Sequence, residues 1–362
     1  MSLLHQIALT LIPNVGHVLA KSLLAEFGTA EAVFRADKKQ LLNIDGIGEV
    51  IAGHILGNNA VQLATLQLES LRKANIEALF YTDDRYPQRL KNCYDSPVIL
   101  YYRGTADLNH PKIVSIVGTR MATPYGLSIC KQLAEVLQPY DVLIVSGLAY
   151  GIDVAAHKES LRCGIPTVGV LGHGLDRLYP SAHRHTANEM LGKGGLLTEF
   201  PLSTAADKEN FPKRNRIIAG LADVTIVVQA ALKGGALITA EIANSYNRDV
   251  FAFPGRITDE FSQGCNFLIK TNRAGLLNHA KDLVYYMGWE LQNKKQGLQT
   301  QIPLGLSGTE ASILSLLGQG SLRIDELALR TDLAQSKLAV QLLNLEIKGV
   351  IVCLPGSVYQ LA

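Results

Sequence analysis

The middle of the chain alternates short apolar runs with longer segments of helical periodicity, and this alternation restricts the possible folds most. The runs are rich in β-branched residues and occupy residues 113–117, 142–145, 167–171, 224–228 and 250–253. Between them, segments such as 125–137 and 152–163 repeat apolar residues every three to four positions. Strands without a polar face must be covered on both sides, so the sequence predicts an α/β fold with a mostly parallel sheet between helices.

Glycines and polar residues gather where these runs end. The loops in question are Gly118-Thr119-Arg120, Ser146-Gly147, Gly172-His173-Gly174 and Lys233-Gly234-Gly235. In a parallel sheet such loops share the carboxyl edge, where ligands bind. Glycine lets the backbone approach a phosphate closely and aim successive N–H groups at it. Four such turns predict an anion pocket, although no GxGxxG dinucleotide fingerprint follows the first run.

Residues 211–220, FPKRNRIIAG, place three cations directly before an apolar run. This pattern favours the start of a helix, whose free N–H groups, positive dipole end and guanidinium donors suit a phosphate. Taken alone, the segment is equally typical of an amphipathic helix with solvated cations. Beside the glycine turns, it is predicted to form one wall of a pocket for a chain of phosphates.

Composition describes a globular protein of two or three domains. Of 362 residues, 48% are hydrophobic and 18% are charged, and 34 cations nearly balance 32 anions. The five cysteines are scattered and never spaced CxxC, which argues against disulfides and structural zinc. We recognise no signal peptide, and the most apolar stretch is interrupted by Asp223, Lys233 and a glycine pair. We therefore expect a cytoplasmic protein with no membrane span, metal or cofactor.

Residues 1–75 contain two similar phrases, at 12–20 and 42–52, each with a glycine-containing turn before a predicted helix. The pattern is typical of tandem helix-hairpin-helix motifs, which present backbone N–H groups to nucleic-acid phosphate. The segment holds six Lys/Arg and six Asp/Glu. We therefore expect either weak DNA binding or a packing module, and a plain helical domain remains an alternative.

The C-terminal part follows a polar, glutamine-rich linker at residues 291–304. Residues 305–362 show three predicted helices and a β-hairpin, which is the winged-helix arrangement. The third helix begins with Gln335, Ser336 and Lys337, and the segment has four cations against five anions. This balance favours a protein-contact or regulatory role over duplex reading.

Residues 76–290 form the predicted central domain with its lead-in segment.

Several longer motifs stand in the order found in one known family. They are Gly118-Thr119-Arg120, SGLAYGID at 146–153, HGLDRLYP at 173–180, FPKRNRIIAG at 211–220, FPG at 253–255 and GCNFLI at 264–269. In these motifs the chain resembles the DNA-processing protein A family, called DprA or Smf, densely over residues 80–275. The resemblance implies an extended Rossmann-like fold with an N-terminal helix-hairpin-helix (SAM-like) domain and a C-terminal winged helix.

The resemblance also implies function. It implies a homodimer that binds single-stranded DNA, delivers it to the RecA recombinase in natural transformation and protects it from nucleases. The family's DNA-contacting arginine matches Arg120, and its lysine and phenylalanine match Lys208 and Phe211. Sequence-independent binding of a single strand needs cations for the backbone and an aromatic face for a base. The expected binding residues are Gly118, Thr119, Arg120, Ser146, Gly147, Gly172, His173, Gly174, Lys208, Phe211, Lys213, Arg214, Asn215, Gly234, Gly235 and Thr239.

Two positions depart from the family pattern, and one enzyme class competes. Gln229 stands where the family usually has a glutamate, and Lys233 where it commonly has a serine. The roles of Gln229, Lys233 and Arg216 stay open. Residues 234–241 faintly resemble the PGGxGTxxE signature of nucleotide phosphoribohydrolases, in which a glutamate acts at the ribose. The signature's proline and second-half glycine are missing, so we expect a binding protein and not an enzyme.

Overall fold

The computed structural model describes residues 3–57, 59–289, 308–354 and 356–361. The predicted linker at 291–304 lies outside these ranges. The N-terminal part is helical, and both glycine-containing phrases form the turns before α2 and α5. Its helices are α1 (Leu3–Thr10), α2 (His17–Phe27), α3 (Ala30–Arg35), α4 (Lys38–Leu42), α5 (Glu49–Leu56) and α6 (Asn59–Lys73).

A nine-stranded sheet forms the centre of the described chain. Its strands are β1 (Glu77–Phe80), β2 (Ile99–Gly104), β3 (Ile113–Val117), β4 (Leu143–Ser146), β5 (Thr167–Val170), β6 (Gly194–Thr198), β7 (Val224–Val227), β8 (Asp249–Ala252) and β9 (Gly275–Leu276). They lie in the order β1-β2-β6-β5-β4-β3-β7-β8-β9. From β6 to β9 in this order, each strand pairs in parallel with its neighbour. β2 pairs antiparallel with β6 on one side and with β1 on the other. The predicted mostly parallel sheet is confirmed.

The strand order fixes where a ligand can bind. From β3 the chain winds outward through β4, β5 and β6, and it then returns to place β7 on the other side of β3. The loops after β3 and β7 therefore diverge to opposite faces of the sheet and leave a crevice between them. The helices that cover the two faces are α7 (Gln88–Lys91), α8 (Pro124–Leu137), α9 (Ile152–Arg162), α10 (Arg184–Gly192), α11 (Asn210–Leu221), α12 (Gly235–Ser245), α13 (Gln263–Lys270) and α14 (Ala280–Tyr286).

The N-terminal helices share one hydrophobic core with β1 and β2. Ile7 and Leu23 are fully buried in the same cluster as Phe80 and Tyr101. A buried carboxylate adds a polar tie, because Glu199 accepts a hydrogen bond from Nε2 of His17 at 2.7 Å and pairs with Arg216. The guanidinium of Arg216 also donates to the backbone carbonyl of Asp95. Arg216 thus braces the junction between the helical part and the sheet.

The C-terminal elements form a winged helix with its own core, as predicted. Its elements are α15 (Gly308–Leu317), β10 (Leu322–Arg323), α16 (Ile324–Thr331), α17 (Gln335–Ile347), β11 (Ile351–Leu354) and β12 (Val358–Leu361). The hairpin of β11 and β12 is antiparallel, and β10 pairs with β12 to complete the small sheet. Among the described residues, no helix is both long and apolar enough to cross a membrane.

Ion pairs that involve two buried carboxylates, those of Asp325 and Asp223, join the winged helix to the central sheet. Asp325 accepts from Arg248 at 2.5 Å and from the side-chain amide of Asn92 at 3.0 Å. Arg323 pairs at 2.8 Å with Asp223, which directly precedes β7. Arg248 likewise directly precedes β8. The winged helix therefore contacts the amino edge of the sheet, opposite the edge that carries the glycine loops.

We expect Asp325→Ala to weaken this docking. The change leaves Arg248 buried without its carboxylate, and an unpaired buried charge costs about 3–5 kcal/mol. Small-angle X-ray scattering should show a larger radius of gyration as the winged helix separates. Glu241→Ala is the matched control, because it breaks an exposed ion pair with Arg273 that contributes about 0–1 kcal/mol. If Asp325→Ala changed neither the scattering nor the melting temperature, this ion pair would not be what docks the winged helix on the sheet.

Candidate nucleic-acid interface

A cleft of about 750 Å³ opens at the carboxyl edge of the sheet, between the loops after β3 and β7. The first turns of α11 and α12 close its sides. Most of the expected binding residues meet here. Those that line the cleft are Gly118, Thr119, Arg120, Lys208, Phe211, Arg214, Asn215, Gly234, Gly235 and Thr239.

The surface of the cleft is positively charged. Three exposed cations line it, namely Arg120, Lys208 and Lys233, and Glu260 is the exposed anion among its described lining residues. Lys233 was not among the expected binding residues, and the structure places it on the cleft wall. Such a concentration of cations in a concave site attracts an anionic backbone, even though the chain's overall charge is close to neutral.

Phe211 is half-buried in the cleft wall and surrounded by a cation, an aromatic ring and a glycine. The guanidinium carbon of Arg120 lies 5.5 Å from the centre of its ring. The ring of Tyr179 is 6.0 Å away at 41°. On the remaining side, a Cβ added to Gly172 would lie only 3.1 Å from the Phe211 ring. Gly172 therefore matters because it leaves room for the ring. Tyr179 stands in the HGLDRLYP motif but was not among the expected binding residues.

Arg214 lines the cleft from below, because its side chain is buried. Its Nη1 donates to the carbonyl of Gly147 at 2.7 Å and to that of Val170, so it ties the ends of β4 and β5 together. Burial lowers the pKa of Arg214 to about 10, which leaves it protonated at neutral pH. The N–H of Gly147 donates to Asp153 at 3.2 Å, and a Cβ at Gly147 would meet both Arg214 and Asp153. Arg214 thus holds two loops and adds a fixed charge beneath the cleft.

Other expected residues shape the loops without lining the cleft. The hydroxyl of Ser146 donates to the Ile116 carbonyl at 2.6 Å. His173 is buried, with Nδ1 at 2.9 Å from the carbonyl of Gly174 and Nε2 accepting from the N–H of Tyr179 at 3.2 Å. Both side chains are therefore occupied within the protein. Lys213 is exposed on α11 beyond the cleft's own wall.

The turn before α12 is held by its neighbours. The side-chain amide of Asn215 donates to the Gly235 carbonyl at 3.4 Å, and the hydroxyl of Thr239 donates to the same carbonyl at 3.1 Å. Gln229, whose role was open, accepts from the Thr123 N–H at 3.0 Å and so fixes the start of α8. These contacts set the backbone of the two cleft loops.

Comparisons with known proteins agree with this architecture. The model of DNA recombination-mediator protein A matches residues 77–288, that of the DprA winged helix domain residues 299–357, and a helix-hairpin-helix motif residues 7–57. The chain belongs to the DNA recombination-mediator protein A family. Protein Smf of Synechocystis is 32% identical, with 96% of each chain covered. DNA processing protein DprA of Streptococcus pneumoniae is 41% identical over 56% of this chain and 71% of that one.

Two solved DprA structures are similar to the fold. The structure of DprA from Streptococcus pneumoniae has a TM-score of 0.57 at 32% identity and covers 75% of this chain and 98% of that one. The structure from Helicobacter pylori, reported for the single-stranded DNA binding mode of that protein, has a TM-score of 0.53 at 29% identity. It covers 58% of this chain and 94% of that one. The resemblance to the DprA/Smf family that the motifs predicted is confirmed.

Glu241 of this DprA family member lies outside the cleft. Its carboxylate pairs at 2.7 Å with Arg273 on the protein surface, and it does not line the cleft. The residue that the phosphoribohydrolase signature would use at the ribose is therefore directed elsewhere. This geometry favours a binding protein over that enzyme class.

We expect no release of free base when the full chain is incubated with nucleoside monophosphates, because Glu241 is turned away from the cleft. Chromatographic detection of the base measures this directly. Glu241→Gln provides the control. Base release by the parent that disappears in this variant would establish the enzyme and overturn our assignment.

Proposed function

We propose that this protein binds single-stranded DNA without sequence preference in the cleft between the loops after β3 and β7. The observation that carries the proposal is the half-buried ring of Phe211 beside the exposed cations Arg120, Lys208 and Lys233. Cations along a groove bind the phosphates of any sequence, and an aromatic face stacks any base. The single-strand binding mode reported for the Helicobacter pylori relative supports the same reading.

The backbone contributes to the proposed phosphate contacts. Gly234 and Gly235 line the cleft, and α12 begins at Gly235 with its positive dipole end in the same place. Lys213 extends the positive surface along α11, while Arg214 contributes its charge from beneath. Ser146, Gly147, Gly172, His173 and Gly174 act through the shape of the loops. Sequence-independent contacts of this kind position a strand without reading its bases.

We expect Arg120→Ala and Lys208→Ala to weaken the binding of a dT oligomer and to flatten its dependence on salt. Each lost phosphate contact removes about 0.7 from the slope of log K against log salt. Phe211→Ala should weaken binding by about 1–3 kcal/mol and leave that slope unchanged, because stacking releases no counterions. Fluorescence anisotropy at several salt concentrations separates the two effects. An Arg120→Ala variant that binds like the parent would show that the pocket is wrongly assigned.

We further propose that the protein acts as a cytoplasmic homodimer that loads the RecA recombinase onto incoming single strands in natural transformation and protects them. The support is the family relationship together with the placement of the winged helix. That domain contacts the amino edge of the sheet, so it leaves the cleft at the carboxyl edge accessible to DNA. In this proposal the protein is not a catalyst and needs no cofactor.

Loading can be measured as RecA filament assembly on a single strand that is already coated with a competing single-strand-binding protein. We expect the parent to accelerate assembly and Arg120→Ala to fail, because RecA is delivered only where this protein holds the strand. Light scattering of the free protein gives its oligomeric state in the same preparation. The absence of any acceleration by the parent would contradict the loading role and leave DNA binding intact.

A further inference from the structure

The aromatic surface does not end at the cleft. Tyr179 and Tyr150 are 48% and 47% exposed, although each stands in a well-packed loop of the carboxyl edge. Tyr179 lines the cleft with its ring 6.0 Å from that of Phe211. Tyr150 lies outside the cleft and packs edge-on against His183, with ring centres 5.0 Å apart. Tyr179 and His183 are the first and last residues of one five-residue segment. Tyr179 therefore lies at one end of this segment, and Tyr150 packs against the other end.

The loop of Tyr150 is fixed to the loop of Arg120. Gly151 has a φ of +77°, and a Cβ there would collide with the backbone of Thr119 and Arg120. The N–H of Ile152 donates to the Thr119 carbonyl at 3.1 Å, which holds the two loops together. A glycine is required at position 151 both for this φ and for this close approach. The loop that carries Tyr150 therefore has a defined position against the backbone of Thr119 and Arg120.

The segment between the two tyrosines is held as firmly. Nδ1 of His183 lies 2.9 Å from the carbonyl of Leu148, in the loop that carries Tyr150. Within the described chain, neither tyrosine hydroxyl makes a hydrogen bond to another residue. The rings of Tyr150 and Tyr179 are thus rigidly placed while about half of each surface stays in solvent. Core packing does not require this exposure, whereas a stacking platform does.

The charge on this surface suits a nucleic-acid backbone. Arg184 directly follows His183, is exposed, and forms no ion pair within the described residues. Arg177, on the same connection after β5, is by contrast paired with Asp176. His185 likewise faces a carboxylate, that of Glu189 at 3.5 Å. Arg184 is therefore an available cation one residue beyond His183, the residue against which Tyr150 packs.

We propose that the single strand leaves the cleft over Tyr179 and then over Tyr150, that each ring stacks one further base, and that Arg184 contacts the backbone there. The inference rests on the proposed function and extends it, because it assigns a path and a longer binding site. Aromatic rings interleaved with cations are the arrangement by which proteins hold successive unpaired bases. The ligand chemistry is an unpaired, flexible strand, since bases within a duplex cannot stack on side chains.

Oligomer length separates this extension from the cleft. Fluorescence anisotropy would compare a short dT oligomer of about 4 nucleotides with a long one of about 12 nucleotides. We expect Tyr150→Ala to weaken binding of the long oligomer roughly 5- to 100-fold, to leave the short one unchanged, and to leave the salt slope unchanged. Tyr179→Ala should affect both lengths because this ring also lines the cleft. Arg184→Ala should reduce the salt slope for the long oligomer alone.

Tyr94→Ala is the matched control. Tyr94 is 74% exposed and also packs edge-on against one ring, that of Tyr246, but it lies away from the cleft. It should bind both oligomers like the parent. Tyr150→Phe keeps the ring and should also retain long-oligomer binding. Thermal unfolding of each variant verifies that the loops remain folded.

A second measurement uses the parent protein with altered DNA, so it does not depend on the folding of a variant. In a long oligomer, replacing the bases at one end by abasic sites should weaken binding by the parent, since the stacked bases are lost while all phosphates remain. Equal binding of the intact and abasic long oligomers, or of Tyr150→Ala and the parent, would overturn the extended path while single-strand binding stands. Failure of the parent to bind dT at any length would instead contradict the proposed function itself.

Discussion

The guanidinium of Arg214 is bonded to the carbonyls of Gly147 and Val170, and the geometry of the cleft depends on this contact. Hydrogen bonds from a charged donor are stronger than those from a neutral one, and here the acceptors are the backbone ends of two neighbouring strands. The absence of a Cβ at Gly147 makes the approach possible. One side chain thereby fixes the loops after β4 and β5, on which the wall around Phe211 and Tyr179 is built. In our proposal, the exposed residues above Arg214 supply the cations that contact the phosphates directly.

The fold was largely predictable because parallel strands buried on both faces leave an unmistakable apolar pattern. The strands β3, β4, β5, β7 and β8 begin and end within one residue of the predicted runs. β6 was missed, since its sequence, GGLLT, opens with two glycines and has a single β-branched residue, Thr198, at its end. Those glycines are required by packing, as a Cβ on Gly195 would lie 2.5 Å from the ring of Tyr102 in β2. That contact joins residues far apart in the chain, and no local pattern shows it.

The candidate site was predictable in position but not in the role of each residue. The rule that loops at the carboxyl edge bind ligands brought Arg120, Phe211 and Gly234 to one cleft. The sequence could have shown that Arg214 is buried, unlike the cations beside it. It lies at three- and four-residue spacing on the helical face of Ile217, Ile218 and Leu221, which is buried. The roles of Ser146 and His173 could not have been predicted, since their hydrogen-bond partners are set by tertiary packing. Tyr150 and Tyr179 carry no periodic signal at all, and only their exposure beside the cleft singles them out.

In our proposal, the cleft binds an unpaired DNA strand by contacting the backbone and the bases of that strand, without preference for a sequence. This proposal is tested by a competition experiment on the full chain, in which unlabelled DNAs of equal length displace a labelled dT oligomer. We predict that single strands of different sequence compete equally well and that duplex DNA competes only at much higher concentration, because its bases cannot reach Phe211. Equal competition by duplex and single-stranded DNA, or displacement by one sequence only, would contradict it.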